Sequence, residues 1–463
     1  MTTNELGMMC CEPTAQEYGL LFAAPAGFVT ATPRAEYAHA RTVAADATRP
    51  RRLLLCLDGV PFEIMQAAQA RGLFAGFHEP SGLLSPFPTM TNIALATMLG
   101  ASAPLGYESL YFDRNAQELR GGVQKYIGRR TPDKVPSSYM DELDYQEPLP
   151  FEYLVYVAPD AVWRADMRRF RERFRAAPRD RDYFGFLKGT DGLLHVRGPA
   201  KLQTALVSLD ALLRELQAWL GRETEIVLFS DHGMGLVESR KIHLQTHLRA
   251  QGFEVRSRFH GGRGGRRTVS LPAFGLIGFA ALYCADETDP AEVSAAVNTL
   301  GGVDFSMYRD GGAAVIVRNA AGAARIRRTT DAAGARFAYE QLDGDPLDLS
   351  ATVRAMQAAG ELTADGFAAD EVWLARTAAH TYPDALANLY EAMHGTRVRH
   401  TADVLISCRD GYYYGWSALD RFVRIMATHG NAMRGSTTAF LMSTHRDFAP
   451  YVRGTEARPV LRA

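Results

Sequence analysis

Several short apolar runs in this chain have no polar interruption, and three of them stop on aspartate or histidine. In RRLLLCLDG, residues 51–59, five consecutive apolar positions close on Asp58 and Gly59. Unbroken apolar character predicts a strand buried on both faces of a parallel sheet and ending at a loop. VPFEIMQAAQARGLF follows from residue 60 with its apolar positions at helical spacing. The unit recurs: KLQTALVSLDALLRELQAWL, residues 201–220, is apolar at i, i+3, i+4 and i+7 and predicts an amphipathic helix. It leads into EIVLFSDHG, residues 225–233, a second buried strand. DVLISC, FVRIMATHG and AFLMST are further apolar runs toward the C-terminus. Alternating strands and helices predict an α/β fold, doubly wound, with a mainly parallel sheet covered by helices on both faces.

Between these blocks the texture changes. Residues 113–148 are polar and read as loop-rich, and the stretch around 255–270 is dense in arginine and glycine, which predicts a solvated basic loop. From 275 to 350, strand-like pieces such as AAVIVRN and AARIRRT alternate with turn residues. The chain therefore divides into an N-terminal extension (1–48), a first part of the catalytic α/β core (49–235), an inserted α+β cap (236–375) and a second part of the core (376–463). An extension of the main sheet's edge is the alternative reading of the insertion.

In an open parallel sheet, ligands bind outside the carboxyl ends of the strands, so residues far apart in sequence meet on one rim. The runs predicted as strands end at Asp58, at Asp231 with His232, and at His429. Asp-Gly or His-Gly alone is an ordinary turn; the same feature at three strand ends points to a shared site, and Asp and His suit zinc or manganese. Thr91 follows the proline-punctuated SPFPTM and precedes an apolar helical stretch, where free N–H groups favour a phosphoryl oxygen. A helix N-cap is the plainer reading of Thr91. Asp191 and His195 are four residues apart, on one face if the segment is helical and across a tight turn if it is not.

In order, LLLCLDG, FPTMTN, TDGLLH, FSDHGM and THGNAMRGSTTAFLMS resemble the motifs of the alkaline phosphatase superfamily, in its branch of type I phosphodiesterases and nucleotide pyrophosphatases. The resemblance covers roughly residues 50–235 and 376–450. It implies a metal-dependent hydrolase of phosphodiester or phosphoanhydride bonds with Thr91 as nucleophile and a phospho-threonine intermediate. It also implies two divalent metal ions, one on Asp191, His195 and His429, the other on Asp58, Asp231, His232 and the Thr91 oxygen. Zinc is the expected ion, with manganese or iron as alternatives. Metal coordination lowers the pKa of a hydroxyl enough for an alkoxide to attack phosphorus. Asn92, the next residue, is a candidate for substrate binding. The sequence departs from the family where TNIALATMLGASAPLGY lacks the proline and the His-Gly that often follow the nucleophile, which bears on the substrate more than on the metals. A phosphomonoesterase or a carbon–phosphorus hydrolase with the same metal pair is the nearest alternative, for which Arg240, Arg263 and Arg434 are available cations. A non-catalytic metal-binding protein is the alternative from another class.

Composition narrows the partners. With 51 Lys and Arg against 52 Asp and Glu, the formal charge is −1, so no overall field draws the chain to nucleic acid or an anionic membrane. A small phosphorylated substrate must be attracted locally. The five cysteines show no paired spacing; Cys56 and Cys408 fall inside apolar runs and read as core residues. The N-terminal residues lack the basic start and apolar run of a signal peptide, and no apolar stretch is long enough to span a bilayer, so a cytoplasmic location is expected.

Overall fold

A computed structural model describes residues 51–122, 135, 137–155, 157–259, 266–332, 334–415 and 424–462. The N-terminal extension and the glycine-rich centre of the basic stretch, 260–265, lie outside the described residues.

The core sheet has six strands in the order Tyr451–Arg453, Ser81–Leu84, Thr438–Ser443, Ile226–Ser230, Leu53–Leu57 and Tyr183–Leu187. Leu53–Leu57 pairs in parallel with both neighbours. Thr438–Ser443 alone is reversed, antiparallel to Ile226–Ser230 and to Ser81–Leu84, and Tyr451–Arg453 runs parallel to the latter. The pleat explains why the first run has no polar interruption. Leu53, Leu55 and Leu57 pack with Phe170 and Leu209, which lie on helices Pro159–Ala176 and Pro199–Leu220. Leu54 and Cys56 face the other way, onto Leu95 and Met98 of helix Thr91–Leu99. Both faces are covered, so neither tolerates a polar side chain.

A second sheet of nine strands is inserted between Ile226–Ser230 and Thr438–Ser443. It is a separate sheet with its own core of Phe305, Met307, Val315, Ile326 and Phe337, closed by Trp373 and Leu389 from covering helices. Its membership corrects the boundary at residue 375. Val404–Cys408, read as part of the second half of the catalytic core, pairs instead with Phe279–Cys284 and Val303–Asp310 in this sheet. A strand buried on both faces has the same sequence texture whichever sheet it joins.

FVRIMATHG is also corrected. In its described part, 424–430, only Thr428 forms a bridge, to Gly235. Its backbone bonds go to unrelated elements: Met426 N–H to His195 O, and Ser239 N–H to Ile425 O. Ile425 and Ala427 are buried all the same, so burial without regular pairing produces the apolar pattern.

Arg453, at the end of the core sheet's edge strand, braces the two layers. Its guanidinium donates to both carboxylate oxygens of Asp370 and both of Asp384, each at 2.6 Å. These aspartates stand at the starts of helices Asp370–Thr377 and Ala385–His394, which cover the second sheet. Breaking a buried pair leaves an uncompensated charge. Arg453→Ala is therefore expected to lower unfolding free energy by about 3–5 kcal/mol, read from the midpoint of urea denaturation.

Candidate active site

Five segments at the carboxyl edge of the core sheet bring the predicted site residues together. Asp58 follows Leu53–Leu57, and Asp231 and His232 follow Ile226–Ser230. Asp191 and His195 project from helix Gly189–Arg197, which begins one residue after strand Tyr183–Leu187, so their spacing is the helical i,i+4. Thr91 opens helix Thr91–Leu99, with Met90 as the capping residue. His429 arrives on the irregular segment described above.

Two clusters result. Asp191, His195 and His429 each offer a ligand atom within 4.8 Å of the others, and so do Asp58, Asp231 and His232. They adjoin one another: the His232 and His429 rings stack at 4.1 Å and 15°. Thr91 Oγ1 lies 3.3 Å from both Asp58 Oδ1 and His232 Nε2.

The histidines are oriented by the backbone. Nδ1 donates to Ala427 O in His195 (2.7 Å), to Gly233 O in His232 (2.9 Å) and to Thr89 O in His429 (2.8 Å). A carbonyl only accepts, so Nδ1 carries the proton and Nε2 of the neutral ring turns a lone pair inward. Those Nε2 atoms face carboxylates: His195 to Asp191 at 3.1 Å, His232 to Asp231 at 3.4 Å and to Asp58 at 3.5 Å. Asp231 Oδ2 is buried and has no hydrogen-bond partner among the described residues. Acceptors turned toward acceptors, away from water, form a cation site, and the Asp/His donor set fits a divalent metal in each cluster.

Proton affinities follow the same imbalance. Burial, then the charges of Asp231 and Asp191, push Asp58 well above the usual carboxylate range, and burial lifts Asp231 to about 6. Burial would also raise Asp191, but the charge and hydrogen bond of His195 outweigh it and hold Asp191 low. For His195, burial is outweighed by Asp191, and its pKa rises. His232 falls to about 4 by burial, and His429 to about 3 by burial and the neighbouring His232.

Two glycines make the packing possible. Gly59 has φ +71°, and a Cβ there would come 3.2 Å from Asp191 Oδ1. At Gly233 a Cβ would stand 2.2 Å from the carbonyl oxygen of Gly435, which accounts for the third residue of Asp-His-Gly. Thr89 is a supporting residue that sequence reasoning passed over. Besides holding His429 through its carbonyl, it accepts from Gly430 N–H at 2.8 Å and donates to Asn431 O at 3.2 Å through its hydroxyl. Its only sequence signal is its place two residues before Thr91.

Asn92, the candidate for substrate binding, has its side chain hydrogen-bonded within the protein. Its amide nitrogen donates to Gly106 O and Tyr107 O, and its oxygen accepts from Ile93 N–H, so the side chain ties the helix start to the following loop. Of the arginines considered for a phosphate, Arg434 pairs with Glu63 at 3.3 Å, Arg240 is exposed in a short strand against Tyr412, and Arg263 lies outside the described residues.

Ion binding must displace the protons that Asp58, Asp231 and His195 hold above their ordinary pKa values. Divalent-ion affinity should therefore rise with pH between about 5 and 8, with protons released on binding. Calorimetry in buffers of different ionisation enthalpy checks this; His232 and His429, neutral above about 4 and 3, add little to the release in that range.

Among the described residues, no helix is long and apolar enough to cross a membrane. No curated protein matches the chain. Among solved structures it is similar to murine ectonucleotide pyrophosphatase/phosphodiesterase 5, at 10% identity and TM-score 0.45, covering 89% of this chain and 94% of that one. It is also similar to a phosphonoacetate hydrolase of Sinorhizobium meliloti 1021 in complex with phosphonoformate, at 13% identity and TM-score 0.47, covering 89% and 95%. Likeness at this level says nothing of substrate. The family model for type I phosphodiesterase/nucleotide pyrophosphatase matches residues 121–430, well over half of the chain, from beyond Thr91 to just past His429. The chain thus belongs to the type I phosphodiesterase/nucleotide pyrophosphatase family, and is a phosphoric ester hydrolase.

Proposed function

We propose that the chain hydrolyses phosphodiester or phosphoanhydride bonds in small phosphorylated substrates, with Thr91 as the attacking residue. The observation that carries this reading is the place of Thr91 Oγ1, 3.3 Å from Asp58 and from His232, at the mouth of a helix. One divalent ion would be held by Asp191, His195 and His429 and another by Asp58, Asp231, His232 and Thr91 Oγ1, with zinc favoured by the mixed Asp/His donors. Such ions supply Lewis acidity, which lowers the pKa of a hydroxyl and neutralises phosphoryl charge.

The chain's own residues do the rest. Asp58 and the His232 ring orient the Thr91 hydroxyl. The N–H groups of Thr91 and Asn92, at the start of helix Thr91–Leu99, have no intrahelical acceptor and would turn their partial positive charge toward a phosphoryl oxygen. Attack forms a bond from Oγ1 to phosphorus as the bond to the leaving oxygen, opposite it, breaks, and the hydroxyl proton departs with that oxygen. Water then attacks from the vacated side, opposite Oγ1, breaking the Oγ1–phosphorus bond and returning a proton to Thr91.

Thr91→Ala should keep the ion held by Asp191, His195 and His429, bind the other ion more weakly, and lose at least about 10³-fold in kcat on an activated phosphodiester. Two in-line displacements predict net retention at phosphorus, measurable with a chiral phosphorothioate diester; inversion would rule out a phospho-threonine intermediate. Phosphodiester, phosphomonoester and phosphonate model substrates, compared on the same metal-loaded protein, test the substrate class.

A further inference from the structure

Between strand Ser81–Leu84 and Thr91 runs a six-residue loop, 85–90, whose backbone is gripped from the side of the inserted region. Asn388, buried on helix Ala385–His394, accepts from Phe87 N–H through Oδ1 at 2.7 Å and donates through Nδ2 to Ser85 O at 3.1 Å. Arg397 Nη1 donates to Phe87 O at 2.6 Å, to Asn388 O at 2.9 Å and to Asn388 Oδ1 at 2.8 Å. The Phe87 ring is fully buried in the second sheet's core, 6.2 Å from Phe305. On its other side the loop is tied to the core sheet by Ser85 N–H to Thr437 O, and to the His429 segment by Thr89.

We infer that Asn388 and Arg397 form a clasp that positions Thr91 for attack, acting through the peptide groups of Phe87. Asn388 and Arg397 are far from Thr91 in sequence and do not belong to the core sheet. The clasp lies four residues from the nucleophile, and only Pro88, Thr89 and Met90 intervene. Both hydrogen-bonding groups of Phe87 are held by it, so releasing either side chain frees the loop to shift. Displacement of a reacting group by about 1 Å can cost about 100-fold in rate. The inference rests on Thr91 being the nucleophile.

The test uses the full chain with saturating divalent metal and an activated phosphodiester. Asn388→Leu and Arg397→Met should each lower kcat by about 10- to 100-fold while KM stays within about threefold. The double variant should fall little below the poorer single one, because the two side chains act as a unit. Arg397→Lys, which keeps a cationic donor, should recover most of the loss. A purely structural role would instead lower the folded fraction, read by circular dichroism, with kcat per folded molecule unchanged. That result overturns the inference, as does parental kcat in both single variants; if Asn388→Leu does not fold, Asn388→Ser is read in its place. Thr91→Ala separates the two claims: activity in that variant overturns the nucleophile assignment, whereas parental kcat in the clasp variants overturns the clasp alone.

Discussion

Asp58, Asp191 and Asp231 stand close to three imidazole nitrogens whose lone pairs are turned toward them, and all six side chains are largely shielded from water. Such an arrangement costs free energy unless a cation lies between the acceptors, and the rest of the fold resists its collapse. Resistance comes from rigidity. The two aspartate-bearing turns leave neighbouring parallel strands packed on both faces, and the histidine rings cannot rotate without losing their bonds to backbone carbonyls. Gly59 and Gly233 let these turns approach more closely than a Cβ would allow.

His429 shows what the inserted region contributes. It is followed by Gly430, and its own carbonyl accepts from Gly278 N–H, while Thr428 Oγ1 donates to Leu276 O. Leu276, in a small three-stranded sheet, and Gly278, next to the second sheet's strand Phe279–Cys284, thus support the segment that delivers the sixth ligand. The Arg453 brace keeps the helices over that sheet in register with the core, so the second layer is part of the site's framework.

Electrostatics and family membership agree on the chemistry. With a formal charge of −1 the protein has little long-range pull on an anion, so attraction must be generated where the substrate reacts. Two dications set against three carboxylates would leave a local positive field beside a helix N-terminus, which suits a phosphoryl group.

Much of this was legible in the linear pattern because it depends on local chemistry. A strand covered on both faces must be apolar throughout, and a polar residue at its end must lie on the rim; those two facts locate Asp58, Asp231 and His232. The i,i+4 spacing of Asp191 and His195 required only that the segment be helical. What needed tertiary structure concerns which surfaces meet. Val404–Cys408 is as apolar as a core strand, and only its partners assign it to the second sheet. The segment before His429 is buried without being a strand, because its hydrogen bonds scatter to residues distant in sequence. Asn92 has the composition of a substrate ligand, yet the carbonyls of Gly106 and Tyr107 claim its amide. Residue type and spacing thus determined which side chains could hold a cation and at which ends of which elements they stand. Long-range packing alone decided which of them converge, since hydrogen-bond partners across hundreds of residues leave no periodicity in the chain.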